Sequence, residues 1–369
     1  MSDALRHTHG IESGTGKIVT ANDNSLNVNE FKKFQVLLNK SIKGGRTFSR
    51  DVVSTYSLIH TGSLCYIGGI LAPNGDIHFI PHNAPVGQKI NINGNVSTYT
   101  LVYTRSFAYF GGVLAPNGDI HFIPYNAKIG QKVDINGIVS TYSLVYTTSG
   151  AYAGGVLMSN GEIHFIPNFA NRGQKVDING IVSTYDLVYT ISNVYLGGVL
   201  APNGDIHFVP WNASVGQKID INGNVSTYSL IYTRFSNYRG GVLAPNGDIH
   251  FIPYYANRGQ KLDINGNVST YSLVYTTSYA YAGGVLAPNG DIHFIPNYAE
   301  VGQKVDINGI VSTYDLVHTT SFAYVGGVLA PNGDIHFIPC QAAVGQKIST
   351  FPAVPFSKAI CCSPFFNKF

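Results

Sequence analysis

The chain has 369 residues, of which 12% are charged, 44% are hydrophobic, 41 are glycine and 24 are tyrosine. That profile favours strands and tight turns, excludes a coiled coil or a helical solenoid, and is too apolar for a mainly disordered chain. Net charge is +3, yet residues 1–52 alone hold eight Lys or Arg against five Asp or Glu, and the remainder balances at 15 against 15. A near-neutral body lacks the concentrated basic surface that general nucleic-acid binding needs.

The opening MSDALRHTHGIESG has no apolar signal-peptide core. No apolar run approaches the roughly 18 residues of a membrane-spanning helix. The expectation is therefore no transmembrane segment and an intracellular or particle-associated location. Within the N-terminal arm, residues 29–42 read as a short helix, with Asn29 as the cap and Gly44-Gly45 as the stop. Phe31, Phe34, Leu38 and Ile42 share one face of it, for packing on the body or docking to a partner.

From Val53 onward the chain is one unit repeated. Gly-Asp-Ile-His-Phe-Ile-Pro begins at Gly75, Gly118, Gly161, Gly204, Gly247, Gly290 and Gly333, changed only at Glu162 and Val209. The step is 43 residues throughout, and Val-Ser-Thr-Tyr recurs on the same period from Val53 to Val311. An unbroken period of this length signals a repeat architecture. The chain divides into an arm over 1–52, seven units over 53–353 and a tail over 354–369.

One unit, 96–138, predicts four strands: Val96–Tyr103, Gly111–Ala115, Ile120–Ile123 and Gln131–Ile135. The outer two alternate, whereas Ile-His-Phe-Ile is apolar on both faces, as a strand between two layers must be. Ala115-Pro-Asn-Gly118 fixes φ at Pro and takes positive φ at Gly, a bulged hairpin, and Asn136-Gly137 marks a second. Four antiparallel strands in about 43 residues match a propeller blade. The first Val-Ser-Thr-Tyr has no preceding strands of its own, and the last unit lacks a following one, with Phe351-Pro352 where others carry Asn-Gly. Each deficit fills the other if the ring closes. The predicted fold is all-β, a seven-bladed propeller whose N-terminal strand completes the last blade.

The stretch Gly-Gly-Val-Leu-Ala-Pro-Asn-Gly-Asp-Ile-His-Phe-Ile-Pro resembles the GGVLAPNG…I…IP repeats of largely uncharacterised bacterial and giant-virus proteins. The resemblance implies a propeller with a binding or structural role, for instance as part of a large viral particle, and carries over no catalytic residue. The Trp-Asp pair of WD40 repeats is absent, and so is the later Trp of kelch repeats.

The strand histidines His78, His121, His164, His207, His250, His293 and His336 are formal candidates for a metal or a pH sensor. Identical positions around a ring lie far apart, whereas a metal needs ligands converging at about 2 Å. They read instead as a repeated hydrogen bond between blades. Asp134-Ile-Asn-Gly137 lacks the further oxygens of a calcium loop and reads as a turn. No HExxH, GxSxG, Walker or Rossmann pattern occurs. The expectation is no metal, no cofactor and no enzymatic activity.

Cys65 and Cys340 fall in the first and last units, so closure makes them a candidate seam pair, while Cys361-Cys362 read as tail thiols. The stretch 351–369 also holds Phe351, Phe356, Phe365, Phe366 and Phe369, a docking composition. Strand alternation puts the Pro-Asn-Gly and Asn-Gly turns on one face and the variable loops on the other. After Ile-Pro the copies read His82, Tyr125, Asn168, Trp211, Tyr254, Asn297 and Cys340. The binding residues expected on this variable face are Arg105, Phe107, Tyr125, Phe169, Arg172, Trp211, Arg234, Arg239, Tyr254, Tyr255, Arg258 and Tyr298. Their weight centres on Trp211, Tyr254 and Arg258, because aromatics and Arg anchor interfaces and stack on sugars. The functional expectation is a non-enzymatic scaffold binding protein partners in an assembly, with a glycan-binding lectin as the alternative.

Overall fold

The computed structural model describes residues 51–350, together with the backbone of an antiparallel pair of strands, Thr8–Ile11 and Ile18–Thr20. The helix expected over 29–42, the tail phenylalanines and Cys361-Cys362 lie outside the described residues.

Seven four-stranded antiparallel sheets stand as the blades of a closed propeller. Blade 1 comprises Tyr66–Leu71, Ile77–Pro81, Val86–Ile90 and Val96–Thr100, from the axis outward. The pattern repeats through blade 7, where Tyr324–Leu329, Asp334–Pro339 and Val344–Ser349 are joined by Val52–Ser57 as the outer strand. That N-terminal strand pairs with the third strand over six residues, from Val52 opposite Ser349 to Ser57 opposite Val344. Closure removes the sheet edge that an open array would expose. At the same seam, the Asp51 carboxylate reaches Lys304 of blade 6 at 2.6 Å.

The inner strands require both glycines of each Gly-Gly pair. At Gly111 the chain takes φ of +89° and a bulge interrupts the ladder between Tyr109 and Gly112. A Cβ on Gly111 would lie 3.2 Å from Gly154 Cα of the next blade, and one on Gly112 would lie 2.6 Å from Ile80 Cδ1. The cores fill the spaces between blades, each sealed by a fully buried inner-strand tyrosine set against a phenylalanine of the second strand. The blade 7–blade 1 interface is packed the same way, with Tyr66 and Phe79 against Val328 and Ile338.

A buried glutamine joins each connector to the blade it enters. Gln131 Oε1 accepts from the Val102 and Tyr103 amides at 3.0 and 2.7 Å, which is why the outer strand stops at Thr100, short of Tyr103. The turns Ala72–Asp76 and Asn91–Asn95 each close with a glycine at positive φ, Gly75 and Gly94. Both types of turn lie on the same face, where Pro73 and Asn74 border Gly118 and Asp134–Gly137 of the next blade.

The histidine bond lies within a blade and not between blades. His78 Nδ1 lies 3.3 Å from the Tyr99 hydroxyl, reaching from the second strand to the fourth. The tyrosine crosses the third strand above Gly87, where a Cβ would sit 2.2 Å from its ring. Glycine is therefore the residue that lets tyrosine lie flat over the histidine. In blade 7 the same bond links His336 to Tyr56, residues 280 apart in sequence. Burial drives these imidazoles toward the neutral form, with pKa values lowered from 6.5 to about 4 at His78, His121, His207, His250 and His336. Among the described residues no cluster of three or more His, Cys, Asp or Glu could hold a metal, and no helix is long and apolar enough to cross a membrane.

Two outcomes follow. Gly173→Ala places a Cβ 2.1 Å from the Tyr185 ring, whereas Gly180→Ala meets open space but strains a φ of +81°. The first should lower unfolding stability by about 3 kcal/mol and the second by about 1 kcal/mol. Equal urea midpoints for the two variants would show that the ring does not cover the glycine. Acid should also unfold the ring through its histidines. Their folded pKa lies below the unfolded 6.5, so the unfolded chain binds the extra protons and stability falls with pH between about 6.5 and about 4. Calorimetry across that window should show uptake of several protons on unfolding, and a melting temperature independent of pH there would refute it.

Candidate functional site

On the face opposite the regular turns, the post-proline loops surround the axis. Three of their first residues are structural: His82 Nδ1 meets the Tyr109 carbonyl at 2.7 Å, and the Asn168 and Asn297 amides donate to the Tyr195 and Tyr324 carbonyls at 2.9 Å. Each ties its blade to the inner strand of the next. Tyr125, Trp211, Tyr254 and Cys340 occupy the same position, and they differ in chemistry.

Tyr254, Trp211, Tyr125 and Arg239 are brought together at the axial mouth. Trp211 and Tyr254 rings lie 5.0 Å apart, and the Arg239 guanidinium stands 5.4 Å from the Tyr254 ring. It is also 5.3 Å from Phe110 of blade 2, across the axis, and Phe110 packs on Tyr125 at 5.5 Å. Tyr254 is 6% exposed, so it belongs to the packing of the mouth and is not the protruding anchor expected of it. Burial raises its pKa, with the Arg239 charge opposing, and burial lowers His82 to about 4, with Arg239 adding to the effect.

Outside the mouth runs a crescent of aromatic rings. Tyr255, 47% exposed, meets Tyr279 at 5.3 Å, Tyr279 meets Tyr298 at 5.7 Å, and Tyr298 meets Phe322 at 4.3 Å. Tyr279 and Phe322 have φ of +63° and +53°, as Phe107 has +56° at the equivalent place. Bulky side chains there cost of order 1–3 kcal/mol. Blade 3 avoids the strain with Gly150, and Phe169 lies over it instead. Phe107 sits edge-on to His82 at 4.9 Å.

The remaining arginines stand apart from this cluster. Arg172 and Arg258 are exposed at the heads of third strands, with Arg172 paired to Asp186 at 3.0 Å. Arg105 is exposed on its connector, and Arg234 lies 5.8 Å from the Tyr232 ring. Arg258 thus shares the face but not the cluster with Trp211 and Tyr254. Sequence reasoning missed Phe110, Tyr279 and Phe322. The signal for Phe110 was available, because the residue before Gly-Gly varies as freely as the loops do.

Cys65 and Cys340 are both buried free thiols on adjoining blades at the seam. Burial pushes the Cys340 thiol up to about 11, against the pull of Arg239 and with Cys65 adding to the rise. Cys65 Sγ also lies 3.6 Å from His60 Nε2.

No family model and no curated protein sequence matches this chain. The ring is similar to solved propeller structures. A streptogramin B lyase superposes with a TM-score of 0.72 at 20% identity, covering 82% of this chain and 99% of that one. Virginiamycin B lyase from Staphylococcus aureus gives 0.71 at 18% identity, covering 81% and 99%. The extracellular domain of a putative hybrid two-component system from B. thetaiotaomicron gives 0.63 at 9% identity, covering 82% of this chain and 42% of that one. At these identities the likeness is one of fold, and it establishes the chain as a seven-bladed propeller.

Proposed function

We propose that this chain is a non-enzymatic binding protein, a structural component of a larger assembly, that holds a protein partner on its variable face. One observation carries the reading. Among the departures from the repeat, Arg239, Trp211, Tyr125 and the tyrosine crescent are brought together on one face, around or beside the axis. Aromatics and arginine dominate binding hot spots.

The likeness to two lyases does not supply a catalytic reading, because it is a likeness of fold. The histidines most repeated in this sequence lie under tyrosines, where burial keeps them neutral. A second reading rests on the exposed crescent. Flat rings such as Tyr255 and Tyr279, 47% and 41% exposed, are surfaces on which sugar rings stack, so a glycan is the alternative ligand.

Photo-crosslinking separates these readings. A photoreactive residue replacing Tyr255 on the variable face should capture a protein partner in the native source, and one replacing Ile135 on the turn face should not. Capture from Ile135 alone would overturn the choice of face. Saturable binding on a glycan array that is lost in Tyr255→Ala, without protein capture, would move the conclusion to the lectin.

A further inference from the structure

Arg239 is the one charged side chain in a ring of otherwise apolar positions. Its counterparts before each Gly-Gly pair are Ile67, Phe110, Ala153, Leu196, Ala282 and Val325, and together they line the axial channel. The space between them is small, about 40 Å³, and opens to solvent at the mouth. The guanidinium lies at the variable-face end, between Phe110 and Tyr254, and its charge bears on His82, Tyr125 and Cys340 around the rim.

Nothing within the described residues neutralises this charge. No carboxylate there forms a salt bridge with Arg239, although Lys89, Lys132, Lys218 and Arg172 each have one. Its Nε is buried without a hydrogen-bond partner. Two aromatic faces offset part of the desolvation, since a cation over a ring gains about 0.5–2 kcal/mol. The Tyr254 hydroxyl also takes one guanidinium donor, but Nε stays open. A half-buried guanidinium with an open donor and an apolar surround is arranged for an anion that arrives from outside.

We propose that the axial mouth is a carboxylate-binding site, which takes the C-terminal or acidic side-chain carboxylate of a peptide segment. The carboxylate pairs with Arg239, and the neighbouring apolar group lies against the half-buried Trp211, which the buried Tyr254 backs. This deepens the partner-binding reading above and rests on it. A carboxylate is favoured over a bulkier anion because the channel behind Arg239 is walled by Phe110, Leu196 and Ile67, which leaves a narrow entrance with no second cation. A peptide is favoured over an acidic sugar because the flanking walls are apolar and offer few donors for hydroxyl groups.

The protein carries its own reporter, since Trp211 is the only tryptophan in the chain and stacks on Tyr254. The full chain is titrated with N-acetyl-phenylalanine, with the neutral N-acetyl-phenylalaninamide and with glucuronate, following tryptophan fluorescence. The acid should give a saturable change, and the amide should bind at least about tenfold more weakly, as loss of a charge-assisted pair requires. Arg239→Met should abolish that preference and retain the melting temperature, because apolar residues already fill the six equivalent positions. Arg239→Lys should keep part of it, having the charge without the fork. Equal binding of acid and amide, an unchanged preference in Arg239→Met, or no saturable response overturns the site. Glucuronate binding as tightly as the amino acid, with the same dependence on Arg239, overturns the peptide source. Crosslinks from position 255 that persist in Arg239→Met would remove the carboxylate and leave the face, whereas their absence in the unaltered ring would remove the face itself.

Discussion

Everything in this ring depends on how closely seven inner strands can approach one axis. The first glycine of each Gly-Gly pair takes a positive φ, and at Gly111, Gly240 and Gly283 a Cβ would meet the backbone of the next blade, 3.0 Å from Gly326 Cα in the case of Gly283. The second stands where a Cβ would collide with an isoleucine of the preceding blade or, at Gly241, with Val199 and Val209. Any larger residue at either place would push the blades apart, and the interblade cores would lose contact together. The constraint is collective. One displaced inner strand opens two interfaces, and a ring has no free end at which to absorb the change.

The same logic extends outward through each blade. Glycine on the third strand admits the outer-strand tyrosine, the tyrosine covers the histidine, and the buried glutamine fixes the connector to the following blade. Each blade therefore specifies its neighbour as well as itself. At the seam these contacts are made by residues from opposite ends of the ring, Tyr56 with His336 and Asp51 with Lys304. The closing strand is held by the contacts that hold every other outer strand. Repetition leaves few places where a side chain can change without disturbing this frame, and those places are the loops of one face and the residue before Gly-Gly.

Much of the fold was legible because the period counts blades directly, and the missing eighth Val-Ser-Thr-Tyr shows how the ring closes. The assignment of the regular turns to one face and the variable loops to the other followed from strand alternation alone. The histidines were misread because alternation says which sheet face a side chain takes but not what lies across a blade. The tyrosine partner is 21 residues away and visible only through the glycine beneath it. Phe110 was missed for a related reason. Strand side chains ordinarily point toward the adjoining blades, and one reaches the axis here because the bulge at the first glycine turns it along the sheet edge. Arg258 was weighted over Arg239 because sequence places both beside variable positions and does not show which of them the bulge directs inward.

The two faces of the ring have different capacities. The turn face repeats itself: Ile92, Ile135, Ile178, Ile221, Ile264 and Ile307 stand exposed at equivalent turn tips. Such a surface presents nearly the same chemistry to a partner at each rotation of one blade, so it can supply adhesion but little orientation. At blade 7, Ser349 and Thr350 stand where blade 1 has Asn91 and Ile92, and they bond to Asp334 and Gly333. The described chain both enters and leaves there, at Asp51 and Thr350. The opposite face carries one guanidinium at the axis, one tryptophan beside it and a crescent confined to blades 5 to 7. A single charge displaced toward one blade is enough to make the seven rotations unequal, because a partner that meets it in one of them meets alkyl or aromatic groups in the others. Specificity is a difference between alternatives. In a ring this regular, the alternatives are its own rotations, and the residues that distinguish them are those the repeat does not constrain.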